Sequence, residues 1–271
     1  MSIRHAAVAG QFYPGHAATL RADVTRYIRE SGVESAPDRV AGIIAPHAGY
    51  MYSGPTAGFV FARVQGKQST RAVILGRSHR YPFEGASVYV GDAFETPLGL
   101  TQVDVDFARD LAKECGGTPD TPHHAEHALE VQIPFLQVAM PDTPIVPVLF
   151  GSDPDEWHIR LGERLAAMLD PSDLVVASTD LSHFLTEAKA NAIDRHTIDV
   201  ILSQDCRAAC AGVADDTCSM CGGTAVVTAM ACALAKGANE WRLLDYRTSG
   251  ASSGDYHRVV GYAAISMECA A

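Results

Sequence analysis

The fold of this chain is limited most by a series of short apolar runs, each closed by a turn or polar residue and separated from the next by segments of helical period. Residues 40–46 (VAGIIAP), 72–76 (AVILG), 145–151 (IVPVLFG), 174–178 (LVVAS) and 262–266 (YAAIS) read as strands. Runs that are apolar at every position, rather than at alternate ones, belong to strands covered on both faces. Helical period marks segments near 17–31, 54–64, 104–115, 127–140, 156–169, 187–204 and 221–236. In DVDFARDLAK, for example, Val105, Ala108, Leu111 and Ala112 share one face. One more strand and a turn are expected at 87–92. Strands alternating with helices point to an α/β fold. The expectation is a single domain over residues 1–271, with a central, mostly parallel or mixed sheet and helices on both faces. No internal repeat, low-complexity tract or linker interrupts it.

Composition narrows the function classes. A chain of 271 residues buries on the order of three quarters of the surface its unfolded form exposes, so it needs no disulfide or structural metal to hold a core. A formal net charge of −11 repels nucleic acid and anionic membranes at long range, and neither is expected as a partner. The seven cysteines are odd in number and scattered, as in a reduced cytoplasmic protein rather than a disulfide framework. The opening MSIRHAAVAGQFYPG has no apolar signal core. The longest apolar-rich stretch, 225–235, is too short to span a bilayer. A cytoplasmic location is therefore expected. No GxGxxG follows a strand, and there is no Walker A or GxSxG motif, so nucleotide binding and α/β-hydrolase chemistry lose their usual signatures.

Three of the strand-like runs deliver a histidine. GIIAPH ends at His47, VILGRSH at His79, and VVASTDLSH at His183 with Asp180 on the way. In open α/β sheets ligands bind outside the carboxyl ends of the strands. Three imidazoles and a carboxylate at three such ends fit one cleft, and imidazole serves both as metal ligand and as acid or base near neutral pH. Taken singly, each histidine reads equally as a helix cap or a loop tie. Gly49 and Gly54 around His47 permit tight turns and close backbone approach, and a helix is expected to begin after Gly54.

Cys221 falls at or just before the start of the helix expected near 221–236, where unpaired N–H groups favour a thiolate, the form that binds metal or attacks electrophiles. Cys218 and Cys221 also form a CxxC. With no second CxxC a zinc ribbon is not indicated, and a dithiol redox pair stays open. The segment HHAEHALE places His127 and Glu130 three apart, and Glu126 and Glu130 four apart, at an expected helix start. It is not HExxH. It reads as part of the cleft or as a solvated first turn with acidic residues near the positive dipole end.

Together the segments VAGQFYPG, GIIAPHAGYMYSGPTAG, ILGRSH, EHALEVQIPFLQ, STDLSHF, MCGG and SSGDYHRVVGYAA resemble the Memo family, whose bacterial and archaeal members are called AmmeMemoRadiSam system protein B. The resemblance runs from about Val8 to Ser266. It implies a fold similar to the catalytic subunit of class III extradiol dioxygenases, which are non-haem Fe(II) enzymes. It also implies metal ligands at His47, His79 and Cys221, a supporting pair at Asp180 and His183, and a place for His127 and Glu130 near the same cleft. The dioxygenases use two histidines and a carboxylate; a thiolate in the third position softens the site and brings copper and zinc into competition with iron. Arg77 stands where many members have proline, adding a cation that would suit an anionic substrate or point to solvent. The family name further implies an AMMECR-type protein and a radical SAM protein as partners.

The expected function is a metal-dependent redox enzyme of this dioxygenase-like class acting on a small-molecule or peptide substrate. One divalent ion, Fe(II) before Cu or Zn, would be held by His47, His79 and Cys221. His183 would serve as acid or base with Asp180 orienting or assisting it, and His127, Glu130 and Arg77 would line the substrate. The alternative is a non-catalytic accessory protein that uses the same cleft to bind a peptide or anion.

Overall fold

The apolar runs form the parallel centre of a mixed sheet. The computed structural model describes residues 1–117 and 120–270. Its strands are β1 (Ile3–Arg4), β2 (Val40–Ala45), β3 (Ala72–Arg77), β4 (Ala86–Val88), β5 (Ala93–Thr96), β6 (Gly99–Gln102), β7 (Ile145–Phe150), β8 (Leu174–Ser178), β9 (His183–Leu185), β10 (Ala238–Thr248) and β11 (Val259–Cys269). The large sheet runs β10-β11-β2-β8-β3-β7-β4, with β9 paired to β11 outside that order. β2, β8, β3 and β7 are mutually parallel. β11 is antiparallel to β2 and to β10, and β4 is antiparallel to β7. Every residue of β2, β7 and β8 is buried, as continuous apolar strands require when both faces are covered. A smaller sheet joins β1, β5 and β6.

The helices are α1 (Ala17–Glu30), α2 (Tyr50–Arg63), α3 (Val105–Glu114), α4 (Ile133–Ala139), α5 (Glu156–Met168), α6 (Glu187–Leu202), α7 (Cys206–Ala214), α8 (Gly223–Ala235) and the short α9 (Gly250–Ser253). α2 packs on β2, β10 and β11 with α1 and α4 against it, while α8 packs on β2, β3 and β8 with α5 and α7 against it. Among the described residues no helix is long and apolar enough to cross a membrane.

Two helix boundaries differ from the sequence expectation. α2 begins at Tyr50, not after Gly54, and carries Pro55 inside. Gly54 and Gly58 are packing residues here. A Cβ on Gly54 would come within 2.6 Å of the Tyr27 ring, and one on Gly58 would meet the Tyr27 backbone. The helix expected over 127–140 is reduced to a 3-10 turn, Glu130–Gln132, followed by α4. Pro134 explains this: it has no N–H for the Glu130 carbonyl, and it is accommodated in the first turn of a helix rather than in its interior.

The order of the strands fixes where the loops meet. β2, β8 and β3 are neighbours and point the same way. The loops leaving their carboxyl ends therefore lie side by side, although the segments come from distant parts of the chain.

Candidate metal centre and its cavity

His47 and His79 each lie two residues beyond their strands, β2 and β3, and Asp180 lies two beyond β8. Cys221 arrives from the opposite direction, just before the Gly222 cap of α8. The turn that carries it rests directly on the end of β8. A Cβ on Gly222 would strike the Ser178 carbonyl and come within 2.9 Å of the Thr179 Cβ. Two hydrogen bonds from its backbone N–H groups lock the turn in place. The Cys221 N–H donates to the Asp180 carbonyl at 3.1 Å, and the Gly222 N–H to Thr179 Oγ1 at 2.8 Å.

The result is a cluster of donor atoms. One ligand atom each from His47, His79 and Cys221 lies within 4.8 Å of the others, and Cys221 Sγ is 3.1 Å from His47 Nε2. The Asp180 N–H points at the same sulfur, at 3.3 Å. The Asp180 carboxylate accepts the His47 backbone N–H at 2.7 Å.

The network behind His47 fixes its tautomer. Ser178 Oγ donates to the Ala128 carbonyl at 2.6 Å and accepts from Gln132 Nε2 at 2.8 Å. With its only proton committed, Ser178 accepts from His47 Nδ1 at 3.0 Å. Nε2 then faces Cys221 with a free lone pair, as a metal ligand requires. His79 is held in the same way by Glu126. Glu126 Oε1 accepts from His79 Nδ1 at 2.9 Å, and Oε2 accepts the His79 backbone N–H at 2.6 Å.

Glu126 also holds His127. Its Oε1 accepts the backbone N–H groups of His127 and Ala128 at 2.9 and 3.0 Å, and His127 Nδ1 lies 3.1 Å away. His79, Glu126 and His127 thus form a second cluster of metal-ligand type. We assign it a supporting role, because this carboxylate is already saturated with donors. Burial raises the Glu126 carboxyl, but hydrogen bonds from His127 and His79 overcome it and hold the group well below the ordinary carboxylate range. Burial lowers His79, while hydrogen bonds to Cys221 and Glu126 outweigh it and lift the imidazole to about 9. In His127 burial, reinforced by the charges of the His47 and His79 imidazoles, prevails over Glu126, and its pKa falls below the ordinary value. The three rings pack closely, with centroids 5.1 Å apart for His47 and His79, 5.3 Å for His47 and His127, and 4.6 Å for His79 and His127.

These groups open into a cavity of about 500 Å³ whose lining includes His47, His79, His127, Asp180 and His183. His183 begins β9 and is exposed at the cavity wall. Among the described residues the Asp180 side chain is hydrogen-bonded to the His47 backbone and not to His183. Asp180 is therefore placed to position the donor cluster.

Two residues assigned to the substrate side sit elsewhere. Arg77 is not part of the cavity wall; it pairs with Asp153 at 2.6 Å. Glu130 is completely buried and pairs with Arg4. It accepts the Ala7 and Val8 N–H groups at 2.9 and 3.0 Å and so ties the chain's first residues to the loop that carries Glu126. All seven thiols are free. Cys218 is buried over Gly212, while Cys221 faces His47. Sequence reasoning gave Ser178 and Gln132 no place in the site and Glu126 no role of its own. Glu126 entered only through its four-residue spacing to Glu130 on an expected helix face, and nothing in the sequence marked Ser178 as more than the last residue of a strand.

Known proteins resemble this chain along nearly its whole length. The profile of Memo-like proteins matches residues 4–266. A MEMO1 family protein of Methanopyrus kandleri is 37% identical over 277 residues, covering 97% of this chain and 98% of the relative. One from Methanosarcina mazei is 36% identical over 274 residues, covering 99% and 100%. Among solved structures, an uncharacterized protein of Escherichia coli K12 superimposes with a TM-score of 0.54 at 15% identity, covering 83% of this chain and 99% of that one. At that identity the likeness concerns the fold alone. The family profile, and the sequence shared end to end with these relatives, place this chain in the Memo-like family.

Proposed function

We propose that the protein is a metal-dependent redox enzyme acting on a small organic substrate, with one divalent ion held by His47, His79 and Cys221. One observation carries the reading: two imidazoles whose Nδ1 atoms are committed to Ser178 and Glu126 converge with a free thiol on a single point. The donor set fits a divalent ion, since two neutral imidazoles leave its charge uncompensated and a thiolate corrects this. Fe(II) is the first assignment, on the resemblance to class III extradiol dioxygenases. The soft thiolate makes copper and zinc the competitors. Bound there, a redox-active ion supplies the one-electron chemistry that reaction with O₂ needs.

The chain's own groups have separable tasks. Ser178 and Glu126 orient the ligating rings, and Asp180 fixes the His47 backbone. The Thr179 hydroxyl and the Asp180 backbone carbonyl hold the Cys221 turn. His183, exposed at the cavity wall and without a hydrogen bond or ion pair to a carboxylate among the described residues, is the group we assign to hold and move a proton on the bound substrate. An AMMECR-type protein and a radical SAM protein are the proposed partners and the cytoplasm the proposed compartment, on the family resemblance and the composition.

The test is anaerobic purification, elemental analysis and O₂ consumption. Stoichiometric iron with substrate-dependent O₂ uptake supports the reading. Stoichiometric zinc with no O₂ uptake transfers the site to hydrolytic chemistry. Failure to bind any divalent ion after anaerobic reconstitution overturns it in favour of a binding module.

A further inference from the structure

The cavity mouth carries a residue in a conformation that its type disfavours. β9 pairs with β11 at His183↔Val260 and Leu185↔Val259. Two steps along β9 match one along β11, so Phe184 is the extra residue of a β-bulge. Its φ is +61°, the left-handed region where bulges ordinarily place glycine. For a bulky residue that conformation costs about 1–2 kcal/mol. Packing does not compensate, because Phe184 is 62% exposed. Strain of this kind persists where it aims a side chain at a functional site. Here it turns the phenyl ring onto the wall of the cavity described above.

The ring lies beside a cation with no partner of opposite charge. The Arg258 guanidinium sits 5.2 Å from the Phe184 centroid and also lines the cavity. Among the described residues it has no ion pair. The two carboxylates on the wall are engaged elsewhere: Asp180 accepts the His47 N–H at 2.7 Å and Asp255 accepts the His257 N–H at 2.8 Å. The remaining wall is largely apolar and aromatic, with Phe12, Tyr52, Val260 and Tyr262. In a chain of net charge −11, an unpaired guanidinium at the edge of such a cavity is a recognition element for an anion.

We propose that Phe184 and Arg258 select the ligand of this cavity, and that the ligand is a small organic monoanion with a flat apolar body. The carboxylate sits on the Arg258 guanidinium. The body lies against Phe184 and the aromatic wall. This inference names the substrate class for the site under "Proposed function" and rests on that reading for the reaction, but not for the binding.

The test is titration of the full chain with benzoate, benzamide and acetate, in a chelator-treated and a zinc-loaded sample. Wild type should bind benzoate on the order of tenfold more tightly than the neutral benzamide in both samples, and more tightly than acetate, which lacks the body. Arg258→Gln should abolish the preference for benzoate over benzamide, and Arg258→Lys should retain part of it. Phe184→Gly should weaken benzoate and benzamide alike and yet unfold at or above the wild-type midpoint, since glycine relieves the strain. Equal binding of benzoate and benzamide by wild type, or binding of neither at millimolar concentration, would overturn the proposal. So would a Phe184→Gly variant that binds normally. A preference that survives in Arg258→Gln and exists only with zinc bound would assign the carboxylate to the metal instead. The chelator-treated arm reads the anion preference whether or not the metal reading holds, so the two fail separately.

Discussion

Glu126 is the residue through which the donor cluster can be perturbed with least change of shape. In Glu126→Gln one oxygen becomes an NH₂ group. Oε1 serves His79 Nδ1, His127 Nδ1 and two backbone N–H groups, so the amide keeps its oxygen there. The NH₂ group then faces the His79 backbone N–H at the former Oε2 position, 2.6 Å away, donor against donor. One charge-assisted bond is lost and a nearly buried N–H is left unpaired; together these cost about 2–4 kcal/mol. The remaining bonds weaken because their acceptor is neutral. Groups that orient a metal-ligating imidazole are typically worth about 10–100-fold in metal affinity. Chelator competition with Co(II), read in the thiolate charge-transfer band, should therefore show a loss of that size with the band still present. Urea unfolding of the metal-free protein adds a pH signature. The Glu126 carboxyl is held below its ordinary 4.5, so its contribution is complete above pH 4.5 and is lost as pH falls below it. The variant's stability should be flatter in that range. Affinity within about threefold of wild type would refute the orienting role. Loss of all bound metal, with no residual band, would make Glu126 a ligand.

Cys221→Ser should lose most bound metal while Cys218→Ser keeps it, by elemental analysis after anaerobic reconstitution; equal retention would remove Cys221 from the ligand set. His183→Ala should keep its metal and lower turnover by about 10²–10⁴-fold once a substrate is in hand, whereas metal loss would make His183 a ligand. Gly222→Ala should destabilise by about 1–3 kcal/mol and bind metal more weakly, because the new methyl collides with the Ser178 carbonyl and Thr179; calorimetry of the metal-free protein checks the first part. Metal affinity should fall as pH drops below about 9, because the ion must displace the proton that His79 holds up to that pH. The same proton stabilises the metal-free fold fully below pH 6.5, with the benefit fading as pH rises through about 9.

The central strands were legible because burial on both faces leaves an unbroken apolar signature, and four of them need no correction beyond a residue or so at an end. β10 was not. It carries Trp241, Leu243, Leu244 and Tyr246, but a bulge between Leu243 and Asp245 shifts the pairing with β11 and breaks the period-2 pattern that would reveal a strand. The segment from His123 to Gln132 misled in the opposite sense. Its residues three and four apart imitate a helix face, yet Glu126 bends back to accept the N–H groups of His127 and Ala128, and Pro134 holds off the helix until Ile133.

The same contrast governs the site. Groups at strand ends are visible in a sequence because their place follows from the strand. His47 and His79 show this, and so does Cys221, whose place follows from the helix it precedes. Groups that orient them are invisible, because their role depends on which loops become neighbours. Ser178 reaches His47 only because β8 lies beside β2, and Glu126 reaches His79 only because the loop after β6 and α3 folds back over the end of β3. Arg77 and Glu130 show the converse. Arg77 was placed at the site as a cation standing where the family has proline, Glu130 by the family motif it shares with His127, and both face away. β3 is followed by a turn that sends His79 inward while Arg77, still in the strand, pairs with Asp153. Glu130 lies four residues beyond Glu126, and in a continuous helix the two would share a face. The turn between them gives each carboxylate its own buried partners, Arg4 for one and the His79–His127 pair for the other. The donor groups of the candidate site were therefore readable in the sequence, while their tautomers and charge states are set by contacts that exist only once the sheet order is formed.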